Sequence, residues 1–538
     1  MERIWQQHYD GKPTEIESGA TITEMFDEAV ARWGTRPAFR LGEDTLGFDE
    51  VAVLSRDFAA WLQARGVRKG DRVAVMMPNL LAFPVVAFGI IRAGAVMVSV
   101  NPLYTPRELA HQLRDSGADT IIVFNGATPT LDAALNEADI ANIVTLGLSD
   151  FCAVQGDSPA AAPAVAARAT TLAEAMSVGA DLPFDPPLIA PDDLLFLQYT
   201  GGTTGLAKGA MLTHKTLMTN VMQFEWMVHG HMCPGDEIVI TALPLYHVFG
   251  LMVNFLCFFK QGALNVLIAN PRDAEGFVRE WSKYQVTSFT GVNTLFVGLM
   301  NTPGFADCDF SRLRIAFGGG APVQVAVSQR WKEITGIPIC EGYGLTETGP
   351  IISANVLGRE RYGTVGIPIP STEIKLLTDD DSEAAIGEPG EICVRGPQVM
   401  KGYWRREDTR HEAFTEDNYF RTGDVGQFDA DGYLRVVDRK KDTILVSGFN
   451  VYPNEIEDVL ARMQGLVETA AVGVPDPHSG ESVKAFCVRR DPGIDAEQVI
   501  AHCRRYLTGY KVPRQVAFVD ALPKSTVGKI LRRELRDR

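Results

Sequence analysis

The stretch Gln198–His214, "QYTGGTTGLAKGAMLTH", gathers four glycines and four threonines around one lysine, Lys208. It lies between an apolar run and a helix-like segment. Glycines at 201, 202 and 205 let a backbone approach a ligand closely, while Thr200, Thr203 and Thr204 add hydroxyl donors beside inward-turned N–H groups. Phosphates fit such a loop. A Walker A loop would need Ser or Thr directly after the lysine; here Gly209 follows Lys208, so that motif fails. Taken alone, the stretch reads equally as a phosphate cradle or as a Gly/Thr turn between strand and helix, and Lys208 equally as a ligand-binding or a solvated loop cation.

Outward from this loop the chain alternates apolar runs with amphipathic ones. "DRVAVMMPN" from Asp71 predicts a strand, "PRELAHQLRDSGA" a helix closed by Gly117, and "DTIIVFN" the next strand. The same grammar returns in "DEIVITALP", "GALNVLIAN", "VTSFTGV" and "RLRIAFGGG", predicting parallel sheets covered by helices. From about 365 to 437 the short runs "TEIKLLT", "GEICVRG" and "GYLRVVD" are parted by Gly, Pro and Asp turns, which predicts a small β-barrel or hairpin layer. After "DRKKD" comes a compact α+β pattern of about 100 residues, a common domain size. The expected fold class is thus α/β: an N-terminal domain, 1–437, of two parallel α/β sheet subdomains with the β layer, then a small α+β domain, 438–538. The Ala/Pro-rich segment from Ser158 to Pro187 reads as a loose surface connection.

The composition narrows the classes. The chain has 538 residues, 46% hydrophobic and 22% charged, values of a soluble globular protein spread over several units. Its start lacks a basic and apolar leader. Apolar stretches at Leu80–Val100 and Ala242–Phe259 are interrupted by Pro84 and Arg92, and by Pro244, His247 and Asn254, so both read as buried walls rather than membrane spans. Eight scattered cysteines argue for a reducing, cytoplasmic setting, and "HGHMC" at His229–Cys233 reads as a surface loop rather than a metal site. A net charge of −16 disfavours nucleic acid as a partner, although the part from Arg439 onward carries 17 Lys+Arg against 13 Asp+Glu.

Seven segments in order carry a family resemblance: "YTGGTTGLAKG", "LPLYHVFG", "FGGGAPV", "EGYGLTETGP", "RTGDVGQFDADGYL", "DRKKDTILVSGFNVYPNEIE" and "PKSTVGKILRREL". In these the chain resembles the adenylate-forming enzymes from about Ile22 to its end. Among their branches it is most similar to the bacterial long-chain fatty-acid:CoA ligases, through "MMPNLLAFPVVAFGIIRAG", "NPLYTPRELAHQLRDSGA", "TGVNTLF" and "VSGFNVYPNEIEDV". The resemblance implies attack of a fatty-acid carboxylate on the α-phosphate of ATP, giving an acyl adenylate and pyrophosphate, followed by displacement of AMP by the thiol of coenzyme A. Two anions must meet in the first step, which calls for cations and N–H groups placed in advance. A medium-chain or aryl-acid CoA ligase and a catalytically idle ligand-binding relative remain as alternatives.

The resemblance also implies roles. Thr200, Gly201, Gly202, Thr203, Thr204 and Gly205 would hold the β- and γ-phosphates, with Lys208 assisting. Glu347 would help ligate Mg²⁺, and Thr346 would contact the α-phosphate. Tyr343 would stack on adenine, with Gly319, Gly320 and Ala321 close to the base. Asp424 would accept the ribose hydroxyls, Arg439 would reach the ribose from the hinge side, and His247 would stand between the acid pocket and the carboxylate. Lys529 would bridge carboxylate and α-phosphate. The small domain would then turn about a hinge at about 438–441, with Lys441 at its centre, to withdraw Lys529 and open a thiol path past Gly448. Leu251, Val292 and Phe296 are expected in the acyl pocket. Transient contact with the inner face of a membrane accords with a fatty-acid substrate, and homodimers occur in this branch.

Two positions depart from the pattern. Asn418, Tyr419 and Phe420 replace a common Gly-Trp-[Phe/Leu], and Leu251 stands where some long-chain enzymes carry a gating tryptophan.

Overall fold

In the computed structural model the described residues are 3–152, 159–200, 207–526 and 528–536. Apolar runs of four or five residues, rich in Val, Ile and Phe, pair as parallel strands buried on both faces, as such compositions require. One sheet runs in the order Thr170–Thr171, Asn142–Leu146, Thr120–Phe124, Arg72–Met76, Val96–Ser99, Leu194–Thr200, Lys208–Thr213, with only the last strand antiparallel. Register is set by pairs such as Val73 opposite Met97 and Ala74 opposite Ile121.

A second sheet of nine strands has six parallel strands at its centre, from Pro37–Leu41 to Cys340–Gly344, and antiparallel strands at both edges. The covering helices begin where the sequence places caps. Thr105 and Glu108 form a reciprocal capping box at Pro106–Ser116, and Gly117 ends that helix at φ +67.

Between the two sheets lies an aromatic core. Phe88 stands 4.5 Å from both Phe26 and Phe255, ring to ring, and Phe259 packs against the same group. Each such side chain removed from water contributes about 1.5–3 kcal/mol. A polar clamp joins the strand ends. The Asn79 amide donates to Leu243 O at 3.0 Å and its Oδ1 accepts from Leu245 N at 2.9 Å, so the carboxyl ends of Arg72–Met76 and Ile238–Thr241 face one cleft. Ligands bind at the carboxyl ends of strands in such sheets.

The β layer is a four-stranded antiparallel sheet, Glu373–Leu377, Gly390–Arg395, Phe420–Phe428 and Leu434–Arg439. The Asn418 departure is explained here. Its φ is +62, a conformation that Gly or Asn adopts with least strain, so Asn substitutes for the family's glycine in the turn. Tyr419 turns its hydroxyl to Glu373 Oε2 at 2.7 Å. Beyond Asp442 a separate five-stranded sheet with helices Pro453–Leu460 and Ala496–Arg504 encloses its own core of Ile444, Val446, Ile456, Leu460, Val499 and Cys503.

Two expectations are corrected. Lys208–Thr213 is a strand, so the Gly/Thr loop joins two antiparallel strands, and the helix His214–Val228 starts after it. The strand forms because Tyr199 lies over Gly209, because Met211 N donates to Gly402 O, and because Lys401 N and Trp404 N donate to Met211 O and Gly209 O. The segment read as a loose connection carries the helix Leu172–Ala180, capped by Thr171 and Glu174. Gly179 packs so tightly on the Asp57 carbonyl that it leaves no room for a methyl group there. A capping-box signature outweighed the Ala/Pro composition. Among the described residues, no helix is long and apolar enough to cross a membrane.

Candidate active site

Three strand ends build a fixed polar wall. Tyr343, at the end of Cys340–Gly344, donates its hydroxyl to Asp424 Oδ2 at 2.7 Å. Asp424 is directly opposite Arg439 in the β layer, and Arg439 Nε lies 3.4 Å from Asp424 Oδ1. Burial raises the Asp424 carboxyl above its usual range, against the pull of Arg439, Tyr343 and Lys529. The same desolvation, with the Asp424 charge, pushes the Tyr343 phenol upward. Gly320, at φ +75, and Gly319 close this wall. A methyl group on Gly319 would stand 3.3 Å from Gly342 O and from the Phe249 ring, so the strand-to-loop contact depends on its absence. Ala321 follows at the exit of Ile315–Gly318.

Glu347 lies in the buried turn Thr346–Thr348. Its Oε1 accepts from the Tyr403 hydroxyl at 2.7 Å and from Thr200 Oγ1 at 3.2 Å. Lys208 is exposed, with its ammonium 5.4 Å from the Tyr403 ring. Thr200 and Lys208 are paired across the hairpin, and Thr200 reaches Glu347. Gly201, Gly202, Thr203, Thr204 and Gly205 lie outside the described residues. The helical turn is capped by Thr348, which accepts from Leu345 N at 2.9 Å; Thr346 is half-buried beside it. Among the described residues, no group of three or more His, Cys, Asp or Glu could hold a metal ion. A single carboxylate, Glu347, with its Oε2 free of these two hydroxyls, fits a magnesium ion carried largely by phosphates and water.

Lys529 reaches this cleft from the far end of the chain. Its burial lowers the ammonium to about 8, helped by Arg439 and opposed by Asp424 and Glu347. The lysine sits in a tight loop. Ser525 N donates to Lys529 O at 2.7 Å, Lys529 N donates to Ser525 Oγ at 3.1 Å, and Gly528 takes φ +82. The loop is held from the large domain by Thr294 Oγ1, which donates to Gly528 O at 3.1 Å, and by Asn101, whose amide donates to Thr526 at 3.0 Å.

His247 follows the strand Ile238–Thr241 and is half-buried. Its Nδ1 accepts from Phe249 N at 3.3 Å, and burial with the Lys529 charge lowers it to about 3, which keeps the ring neutral. Behind it the π-helix Gly250–Cys257 is wholly buried, with Leu251 inside it. Val292 lines the space between Gly320 and Gly528. Phe296, by contrast, packs edge to face on Trp331 and Phe289 in the core of the nine-stranded sheet. Lys441 is in the short turn Lys440–Asp442, where burial and Arg439 lower its ammonium. Gly448 occupies an exposed hairpin tip at φ +84, with open space around a would-be Cβ, so in this arrangement its backbone and not crowding asks for glycine.

The structure thus brings together Thr200, Glu347, Tyr343, Asp424, Arg439 and Lys529. Sequence reading missed Tyr403, Thr294 and Asn101. Each meets its partner through tertiary approach, and no local spacing signals it.

The profile of the family described as AMP-binding enzyme matches residues 26–404, and that of the AMP-binding enzyme C-terminal domain matches 455–529. A long-chain-fatty-acid–CoA ligase of Escherichia coli O157:H7 is 48% identical over 552 residues, covering 100% of this chain and 98% of the relative. Among solved structures, an anthranilate CoA ligase, AuaEII, in complex with anthranoyl-AMP is 25% identical at a TM-score of 0.87, covering 98% of both chains. ATP-bound MatB from Rhodopseudomonas palustris is 29% identical at a TM-score of 0.83, covering 96% of this chain and 99% of the other.

Proposed function

The chain belongs to the AMP-binding enzyme family, and from that premise we propose that it joins a long-chain fatty acid to coenzyme A. The carboxylate first takes AMP from ATP, releasing pyrophosphate; the thiol then displaces AMP. The observation that carries this reading is the convergence of Lys529, from the small domain, on Glu347, Asp424 and Arg439 of the large one. The full-length similarity to fatty-acid ligases supports the substrate class.

In this reading Asp424 and Arg439 hold the ribose, Tyr343 stacks on the adenine, and Gly319–Ala321 lie against the base. The ammonium of Lys529 neutralises charge where carboxylate and α-phosphate meet, in a cleft whose low dielectric strengthens it. Neutral His247 carries its proton on Nε2, since Nδ1 accepts from Phe249 N. It can orient the carboxylate without adding a charge. Thr346 donates to the α-phosphate, while the Thr200–Lys208 loop holds the outer phosphates. Magnesium, held by Glu347, would supply the charge neutralisation that lets the phosphates approach. Leu251 and Val292 begin the apolar pocket.

Lys529 blocks the direction from which a thiol must come. The small domain therefore turns about the hinge at 438–441, with Lys441 at its centre, after the first step, removing Lys529 and bringing Gly448 to the thiol path. Its substrate partitions into bilayers, so transient contact at the inner membrane face belongs to the same reading, and co-sedimentation with liposomes tests it.

Mass spectrometry after incubation with Mg·ATP, coenzyme A and acids from C4 to C20, with aryl acids added, tests the substrate. AMP with a C12–C18 thioester is the expected result. A short or aromatic thioester would keep the chemistry and overturn the substrate class.

A further inference from the structure

Asp438 and Arg439 are neighbours on the strand Leu434–Arg439, so their side chains point to opposite faces. Arg439 turns to Asp424 and the nucleotide cleft. Asp438 turns to the small domain, its carboxylate fully buried against Arg532, which opens the last helix three residues after Lys529.

Arg532 has two kinds of partner. Glu457, on the helix Pro453–Leu460, accepts from Arg532 Nε at 3.0 Å and Nη2 at 2.7 Å and also accepts from Ala471 N at 2.9 Å. That fork lies wholly within the small domain. Asp438, by contrast, is paired with Val425 in the β layer and belongs to the large domain. Its Oδ1 lies 3.3 Å from Arg532 Nη1, its Oδ2 accepts from Asn454 N at 2.9 Å, and the Asn454 amide donates to Val437 O at 3.1 Å. Asp442, in the turn between them, completes the cluster at 3.8 Å from Arg532 and 3.0 Å from Arg536.

We propose that Asp438 is a positioning residue for adenylation, a latch that holds Arg532 and Asn454, and through them the Lys529 loop, in the nucleotide cleft, and that lets go when the small domain turns. This rests on the two-arrangement reading above. A rotation in the backbone at 439–441 leaves Asp438 in its strand and carries Arg532, Asn454 and Glu457 away together. The latch can open without stranding a charge, because Arg532 keeps its fork with Glu457 while Asp438 gains water. Among the described residues, Thr294 and Asn101 hold the loop from the large domain by neutral hydrogen bonds, whereas Asp438 adds a charged contact that the turn would break.

The test measures the two half-reactions of the full-length enzyme separately: acid-dependent exchange of pyrophosphate into ATP, and thioester formation from supplied acyl adenylate and coenzyme A. Asp438→Asn keeps the size and removes the charge. The expected result is a loss of about tenfold in exchange with thioester formation unchanged or faster, the signature of a contact made in one state. Glu457→Gln, which weakens only the internal fork, should lower both half-reactions alike through the small domain's stability. An equal loss in both half-reactions for Asp438→Asn, or none in either, overturns the latch. Lys529→Ala, run alongside, separates the failures. If it splits the half-reactions and Asp438→Asn does not, the latch alone is wrong; if it also fails to split them, the two-arrangement reading is wrong and the latch falls with it.

Discussion

The wall of the nucleotide cleft and the lysine loop that closes it are built in different ways. Tyr343 and Arg439 stand at the ends of paired strands and Asp424 in the middle of one, and they bond to one another before any ligand arrives. Lys529 stands on a loop that turns on a left-handed glycine, Gly528, touched by the large domain through Thr294 and Asn101. A preformed wall serves both steps of a two-step reaction at no cost in reorganisation. A group needed in only one of them belongs on something that can leave.

The sharpest break in that contrast is Lys529→Ala. It should slow adenylation about 1,000-fold, the scale of losing a preorganised transition-state charge, with thioester formation from supplied adenylate altered little. Asp424→Ala should show the opposite pattern. Because the ribose is held throughout, both half-reactions should fall together by about 10–100-fold, the worth of a charged hydrogen bond. Equal behaviour of the two variants would erase the distinction.

Protonation sharpens the same line. Burial lowers Lys529 to about 8, so its ammonium is present below that value and lost above it. kcat/KM for ATP should therefore decline above about pH 8, approaching tenfold per unit, and thioester formation from supplied adenylate should lack this limb. Gly528→Ala should have a smaller effect. A methyl group at φ +82 would stand 2.5 Å from Thr294 Oγ1, and the resulting strain should reduce adenylation about tenfold while sparing the second step.

The smallest expected effect lies behind the wall. Glu341 accepts from Val323 N at 2.9 Å, and burial raises it to about 8. The folded state holds its proton longer than the unfolded chain does. This contribution to stability is full below about pH 4.5 and is lost as pH rises through 8. Glu341→Gln should flatten that slope, with a melting midpoint about 2–4 °C above the parent at pH 9 and little difference at pH 5.

Much of this was legible in the chain. Short apolar runs between turn residues marked the parallel strands, because strands buried on both faces leave no room for polar alternation. The order of seven motifs singled out Glu347, Tyr343, Asp424, Arg439 and Lys529, which the structure brings around one cleft. The strand Lys208–Thr213 was not legible, since "AMLTH" has no period of two and takes its shape from pairing with Leu194–Thr200. Tyr403 was hidden for a similar reason: its bond to Glu347 spans 56 residues. The neutral state of His247 comes from burial and a distant lysine, which residue identity alone does not report. The packing of Phe296 on Trp331 was not legible either, since an aromatic beside a pocket loop is also the ordinary filling of a core.

One measurement bears on the acyl adenylate itself: exchange of labelled pyrophosphate into ATP with coenzyme A left out. Exchange that depends on added long-chain acid, and that disappears in Lys529→Ala, is the predicted result. Exchange without any acid, or turnover that begins only when the thiol is present, would contradict an adenylate formed first at this cleft.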